Sequence, residues 1–357
     1  MARIDAILKL VKDQGASDLH VTTGSPPMVR LNGEIVPIPH EPLSRETSEL
    51  LLFEIMDDDV RDRYAARKDV DFSYEVPGVV RARCNVYEQH LGPAGAFRIL
   101  PSQILSIEQL GLPPHVARFT EMTRGLVLVT GPPGSGKSST LAALIDHVNA
   151  TQRKHLLTIE DPIEYRHGNK RSLVTQREVG RNTPGFAQAL RAALREDPDV
   201  ILVGEVRDPE TMQLAITAAA TGQLVFGTLH TMSAAQTVDR ILDSFEGEKQ
   251  AQVRLMLAES LRGVLAQRLL RRADGKGRAL ALEILLANGA VSALIRERKT
   301  FQLPSVVQTG RREGMQTMDD AVLGLVRSGA VAPDDAAPHL SSRDLLDRVG
   351  PPRAQAA

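Results

Sequence analysis

The chain has 357 residues, 42% hydrophobic and 24% charged, with 43 basic against 44 acidic side chains and a net charge of −1. That length carries two domains, or one large and one small, with ample residues for a core. The charge balance lacks the basic excess of a protein that wraps nucleic acid. The single cysteine, Cys84, excludes a disulfide framework or a cysteine zinc site within one chain and fits a reducing cytosol.

In chain order, Met1–Val11 mixes charge with apolar residues and has no secretory pattern. Ile4, Ile7, Leu8 and Val11 recur at helical spacing, and Gly15 follows as a stop. Asn32-Gly33, between Val29-Arg30-Leu31 and Ile35-Val36, predicts a hairpin. A second helix is expected over Arg45–Met56. Val79–Val86 alternates, putting Arg81, Arg83 and Asn85 on one face and Val80, Ala82, Cys84 and Val86 on the other. A turn at Gly92–Gly95 then leads into Ala96–Leu100. Residues 1–100 therefore read as a small α+β domain with an antiparallel sheet. Residues 101–115, with Pro101, Pro113 and Pro114, read as a linker.

Beyond the linker the pattern changes. Apolar runs at Leu126–Val129, Leu156–Ile159, Val200–Val203 and Leu224–Phe226 alternate with helical stretches such as Phe186–Arg195 and Glu210–Thr221. This alternation predicts an α/β domain with a mostly parallel sheet and helices on both faces. Thr211–Val238 is the longest segment without Asp, Glu, Lys or Arg, but glycines and polar residues interrupt it. It reads as buried helix, turn and strand, not as a membrane span. After Ser233 mostly helix is expected, with Val253, Leu257, Leu261 and Leu265 on one apolar face. Later helices are expected near Ala290–Lys299 and Thr317–Arg327. The domain is expected to span residues 116–345, with a disordered tail over 346–357, and order is expected to fall from Ala332 onward.

Gly131-Pro132-Pro133-Gly134-Ser135-Gly136-Lys137-Ser138 fits G-x-x-x-x-G-K-S/T and lies between a predicted strand and a predicted helix. Glycines let backbone N–H groups converge on phosphate, and the helix N-terminus adds positive potential. Lys137 is placed for the β/γ-phosphates of ATP or ADP and Ser138 for Mg²⁺, with Ser139 next in the helix. Asp199–Glu205 is an apolar strand ending in an acid, and Glu205 is a candidate to hold the metal or activate water. Thr158–Glu164 ends another strand with Glu160, Asp161 and Glu164, whose mutual repulsion calls for a cation, a polar partner or solvent. His230, in Gly227–Thr231, is a candidate phosphate sensor or an ordinary structural histidine. Arg81, Arg83 and Arg98 are either the wet face of a sheet or donors of positive charge to a phosphate on a neighbouring domain or subunit. A RecA-like nucleic-acid translocase is a competing reading, opposed by 3% aromatic content and no Trp. The cluster Arg268, Arg271 and Arg272 reads equally as a solvated helix end.

Together these boxes resemble the PilT class of secretion ATPases, the type IV pilus retraction motors, from Ser17-Asp18-Leu19-His20 to about Lys299. Thr158–Tyr165 resembles the class's Asp box, Arg195–Asp208 its Walker B region and Thr228–Thr231 its His box. The resemblance implies a PAS-like N-terminal domain, a RecA-like ATPase domain and a homo-hexameric ring at the cytoplasmic base of the pilus. It implies Glu164 as general base, with Glu205 and His230 in the site, and Arg81, Arg83 and Arg98 completing the nucleotide site. It also implies an inner-membrane platform protein as partner, and no nucleic acid. At Ala290–Lys299 the class has Ala-Ile-Arg-Asn-Leu-Ile-Arg-Glu-Gly-Lys, and here Ser292, Ala293 and Arg298 replace Arg, Asn and Gly. That departure keeps a divergent accessory ATPase of the PilU kind as an alternative. Extension and type II secretion ATPases often carry a four-cysteine zinc insertion and a long N-terminal extension, so the sequence favours the retraction branch.

Overall fold

The computed structural model describes residues 2–348 apart from Asn32 and Ser102. The chain divides into two compact units, Met1–Gln103 and Ile104–Ala357.

The first unit begins with α1 (Ile4–Asp13), which buries Ile4, Leu8 and Val11. It continues through β1 (Asp18–Thr22), β2 (Met28–Leu31), β3 (Glu34–Pro37), α2 (Arg45–Phe53), α3 (Asp58–Arg67), β4 (Asp69–Val76), β5 (Val80–Gln89) and β6 (Gly92–Leu100). The strands form one antiparallel sheet in the order β3-β2-β1-β6-β5-β4. On β5, Ala82, Cys84 and Val86 are buried, and Arg81 and Arg83 take the alternate positions, as the alternation predicts. Leu31 lies opposite Glu34, and Gly33 takes φ +93°; Asn32 lies outside the described residues. The turn expected at Gly92–Gly95 is instead strand, with Gln89 paired to Gly92 and the reversal at His90–Leu91. The glycine there serves packing. A Cβ on Gly95 would lie 2.6 Å from Leu52 Cδ2 and 2.9 Å from Phe97 Cε2.

The second unit carries β7 (Gly125–Thr130), α4 (Lys137–Thr151), β8 (His155–Glu160), β9 (Leu173–Glu178), α5 (Phe186–Ala193), β10 (Val200–Val203), α6 (Pro209–Thr221), β11 (Leu224–Leu229), α7 (Ala234–Asp243), α8 (Gly247–Ser260), β12 (Leu261–Arg271), β13 (Arg278–Leu286), α9 (Gly289–Arg296), α10 (Leu303–Thr309) and α11 (Met318–Arg327). Its sheet order is β13-β12-β7-β11-β10-β8-β9, parallel except for the β12–β13 hairpin. Every residue of β7, β10 and β11 is buried, as strands covered on both faces require. Each buried Val or Leu side chain contributes roughly 1.5–3 kcal/mol, so these strands anchor whatever follows their ends. Helices are started by side-chain caps. Asp208 accepts from Thr211 N with Pro209 beside it, and Ser233 accepts from Gln236 N.

Three expectations need correction. Leu261 and Leu265 lie on β12, not on a helix. A spacing of four residues keeps one face on a strand as well as on a helix, so Val253, Leu257, Leu261 and Leu265 fit both periods. The helix ends at Ser260, where Leu261 joins the sheet beside Leu126, and Gly263 makes room for the Phe119 ring. Arg268 and Arg271 therefore sit on a strand, with Arg271 opposite Arg278, and not on a helix end. Order does not fall from Ala332. Val331 and Ala336 are buried with Leu270, Ala281, Met318 and Val322, and Ser341 bonds Asp319 through its N–H (2.9 Å). Residues 349–357 of the expected tail lie outside the described residues. In the stretch read as a linker, Ile107 and Leu112 are buried in the core of the second unit.

Candidate active site

Four strand ends meet along one edge of the second sheet. The glycine-rich loop follows β7, the acids Glu160 to Glu164 end β8, Glu205 follows β10, and His230 follows β11. In an open parallel sheet this carboxyl edge is where ligands bind.

The loop needs its glycines for two separate reasons. Gly131, Gly134 and Gly136 all take positive φ, which side chains rarely adopt. A Cβ on Gly131 would also lie 2.3 Å from Gln267 O, so the loop is pressed against β12. Gln267, itself buried, donates from Nε2 to Ser135 O at 2.6 Å, and Arg278 Nη1 donates to Gly134 O at 3.3 Å. The hairpin thus braces the back of the loop. Pro132 and Pro133 add stiffness through their fixed φ. Gly136 in the left-handed region starts α4, whose first turn holds Lys137, Ser138 and Ser139. Ser139 Oγ and the Tyr165 hydroxyl lie 2.7 Å apart.

Lys137 Nζ donates to Gly131 O (2.9 Å) and Pro132 O (3.1 Å) and lies 3.3 Å from His230 Nδ1. His230 Nε2 lies 2.8 Å from Glu205 Oε1, and Arg207 Nε pairs with that same oxygen. A neutral imidazole protonated at Nε2 satisfies both neighbours, donating to the carboxylate and accepting from the ammonium. The result is a chain Arg207–Glu205–His230–Lys137 across the mouth of the loop. Burial draws the Lys137 ammonium below its usual range, against Glu205 and Glu164, which favour the charged form. Burial would raise the Glu205 carboxyl, but hydrogen bonds and charge from Arg207 and His230 override it and hold it below the usual range. The structure therefore gathers Lys137, His230 and Glu205 in direct contact, with Glu164 in electrostatic reach.

The acids after β8 are organised by β9, which sequence reading missed. Gln176 donates from Nε2 to Glu160 Oε1 (3.2 Å) and to Tyr165 O (2.9 Å), and Glu178 Oε2 accepts from Ile163 N (3.1 Å). Thr158 Oγ1 also donates to Glu160 Oε1, at 2.7 Å. Burial pushes Glu160 up to about 7, despite those hydrogen bonds, with the Glu164 charge adding to the rise. Of the three acids, Glu160 is thus half-buried and desolvated, with its carboxyl near its titration point at neutrality.

Arg81, Arg83 and Arg98 lie on β5 and β6 of the first unit. Arg98 Nε donates to Asp18 Oδ1 at 3.0 Å, and Arg83 Nε lies 3.6 Å from Asp71 Oδ1. Arg83 and Arg98 sit opposite each other across the β5–β6 pair.

Residues 1–332 match the family described as Type II/IV secretion system protein. The chain belongs to that family. It is 50% identical over 333 residues to the type IV pilus retractation ATPase PilT of Pseudomonas aeruginosa, covering 93% of this chain and 96% of that protein. It is 53% identical over 310 residues to a twitching motility protein of Neisseria gonorrhoeae, covering 87% and 83%. Among solved structures, the pilus retraction motor PilT with bound ADP superposes with a TM-score of 0.90 at 45% identity, covering 98% of this chain and 99% of that one. The α/β architecture with a RecA-like second unit is thus the architecture of this secretion family.

Proposed function

We propose that this chain is the ATP-hydrolysing motor that powers type IV pilus retraction, the movement behind twitching motility. One observation carries the chemistry: the Lys137–His230–Glu205 chain spans the mouth of the glycine-rich loop. Its relatives named above carry the biology.

In this reading the loop amides and the start of α4 take the β- and γ-phosphates of ATP. Lys137 exchanges its carbonyl partners Gly131 O and Pro132 O for phosphate oxygens. Release of Lys137 frees His230 Nδ1 to make a hydrogen bond at the phosphate end of the site, while Nε2 stays tethered to Glu205. Among the described residues no cluster of three or more metal-ligating side chains occurs. Mg²⁺ asks for none, because it keeps several waters and binds through one or two protein oxygens plus phosphate. The Ser138 hydroxyl and the Glu205 carboxylate fit that need, and the ion when bound would neutralise phosphate charge. We assign deprotonation of the attacking water to Glu164 and not to Glu205. Arg207 and His230 both engage Glu205 Oε1 and hold that acid ionised, which makes it a weak base.

A homo-hexameric ring fits the retraction reading, with Arg81, Arg83 and Arg98 serving the nucleotide of a neighbouring subunit. Asp18 and Asp71 would hold two of these guanidiniums until a phosphate competes for them. The ring would work in the cytoplasm, docked peripherally on an inner-membrane platform protein. No helix among the described residues is long and apolar enough to cross a membrane.

The accessory reading, of a PilU-like partner to a second pilus ATPase, has α9 behind it. Val291 and Ile295 stay fully buried there, so the helix survives, while Ser292 and Ala293 alter its remaining face. The two readings separate on purified protein and in cells. The retraction motor hydrolyses ATP alone, loses turnover in Lys137→Ala, and restores twitching to a strain lacking its own retraction ATPase. Turnover that appears only on mixing with a second ATPase gives the accessory reading, and turnover unaffected by Lys137→Ala ends both.

A further inference from the structure

Hydrolysis by the proposed route needs Glu164 at a fixed place relative to the phosphates, yet the two are held by different elements. Glu164 follows β8, whereas Lys137 and Ser138 open α4. A contact joins these elements one residue away from each group. The Tyr165 hydroxyl and Ser139 Oγ share a hydrogen bond of 2.7 Å. Tyr165 is the residue after Glu164, and Ser139 is the residue after Ser138.

The backbone on this side of the contact is tied down as well. The Glu164 N–H donates to the Glu160 carboxyl. Gln176 Nε2 on β9 donates to Tyr165 O at 2.9 Å, and Gln176 Oε1 accepts from His167 N at 2.8 Å. These bonds tie the main chain around Glu164 to β8 and β9, and the Tyr165 side chain carries the tie across to α4. The Tyr165 ring is buried. A phenylalanine would fill the same space without desolvating a hydroxyl, and a desolvated hydroxyl costs free energy unless it is hydrogen-bonded. The phenol therefore has its use in the bond to Ser139. Burial lifts the phenol above its usual range, against the Ser139 hydrogen bond and with the Glu164 charge adding to the rise, so the hydroxyl keeps its proton at neutral pH. The Glu164 charge also acts on the Lys137 ammonium, so this carboxylate is in electrostatic reach of the phosphate-binding group.

We propose that the Tyr165–Ser139 hydrogen bond is a positioning device for hydrolysis, which keeps the Glu164 carboxylate in register with the phosphate held by Lys137 and the first turn of α4. Tyr165 acts through Glu164 and is a positioning residue, not a catalytic one. The proposal rests on the reading of Glu164 as the base. A base must stand within hydrogen-bond reach of the water it deprotonates, and a small displacement costs rate far more than it costs binding.

The test measures ATP turnover and Mg·ADP calorimetry on the full-length protein, on Tyr165→Phe, on Ser139→Ala, on the double variant and on Glu164→Gln. Tyr165→Phe removes one oxygen and keeps the ring. It should lower kcat by about tenfold while KM for ATP and the affinity for ADP stay within about twofold. Ser139→Ala should do the same, and it supplies the measurement if Tyr165→Phe folds poorly. The double variant should be no slower than either single one, because both remove the same bond. Ser139→Thr, which keeps a hydroxyl, should recover most of what Ser139→Ala loses. Unchanged kcat in both single variants, losses that multiply in the double variant, or equal falls in kcat and ADP affinity would overturn the positioning role. Glu164→Gln would stay inactive in those cases, leaving the base assignment standing. Full turnover in Glu164→Gln would instead overturn the base reading itself.

Discussion

Glu160 offers a measurement that is independent of catalysis. Its carboxyl lies at about 7 in the folded protein, against 4.5 for an ordinary glutamate. Burial dominates, because the carboxylate loses more solvation than Thr158 and Gln176 restore by hydrogen bonding. The folded state therefore prefers the protonated form. Below pH 4.5 both states hold the proton and nothing is lost. Between pH 4.5 and 7 only the folded state holds it, so stability falls as pH rises and levels off above 7. At about 1.36 kcal/mol per tenfold in proton affinity, the full loss is on the order of 3 kcal/mol. Glu160→Gln keeps an oxygen to accept from Thr158 and Gln176 and removes the titration. Its advantage over wild type should be about 1 kcal/mol at pH 5.5 and about 3 kcal/mol at pH 8.5. For a domain of roughly 250 residues the gap in melting temperature should widen by about 4–8 °C across that range. Calorimetric melting of both proteins at pH 5.5, 7 and 8.5 reads it directly. A gap that stays constant with pH, or a variant less stable than wild type at pH 8.5, would refute burial as the cause.

Three other expectations follow from the bracing of the loop and the charged chain. Gly131→Ala places a Cβ 2.3 Å from Gln267 O at φ +137°, so ADP binding should vanish and the melting temperature should drop. Gln267→Ala removes the donor to Ser135 O and should destabilise the protein by about 1–3 kcal/mol, with ADP affinity falling in calorimetry while pH dependence stays put. Arg207→Gln strips the ion pair from Glu205 and should lower ATP turnover by roughly tenfold or more without abolishing ADP binding, and Arg207→Lys should recover part of it. Unchanged turnover in Arg207→Gln would mean that the pair is an ornament of the resting site.

Much of this site is legible in the sequence because its parts follow buried parallel strands. A strand covered on both faces must be a continuous apolar run, and Leu126–Val129, Val200–Val203 and Leu224–Phe226 are such runs. Whatever follows each run emerges on the same edge of the sheet, so the loop, Glu205 and His230 meet although 100 positions separate Gly131 from Thr231. The braces were not legible for the same kind of reason. Strand β9 is an edge strand of Leu173-Val174-Thr175-Gln176-Arg177-Glu178, with little apolar content to betray it, yet its polar side chains organise the acids. Strand β12 hides behind leucines spaced four apart, which serve a helix and a strand alike, and with it went Gln267. The segment after Ala332 looks unstructured by composition because its burial depends on one small side chain, Ala336, and on polar ties to Arg268 and Asp319. Periodicity registers the residues that hold up a sheet, whereas partners that hold a loop in place are single side chains with no period to detect. The residues that shape how tightly this loop grips a nucleotide therefore belong mostly to the second group, and structure is needed to find them.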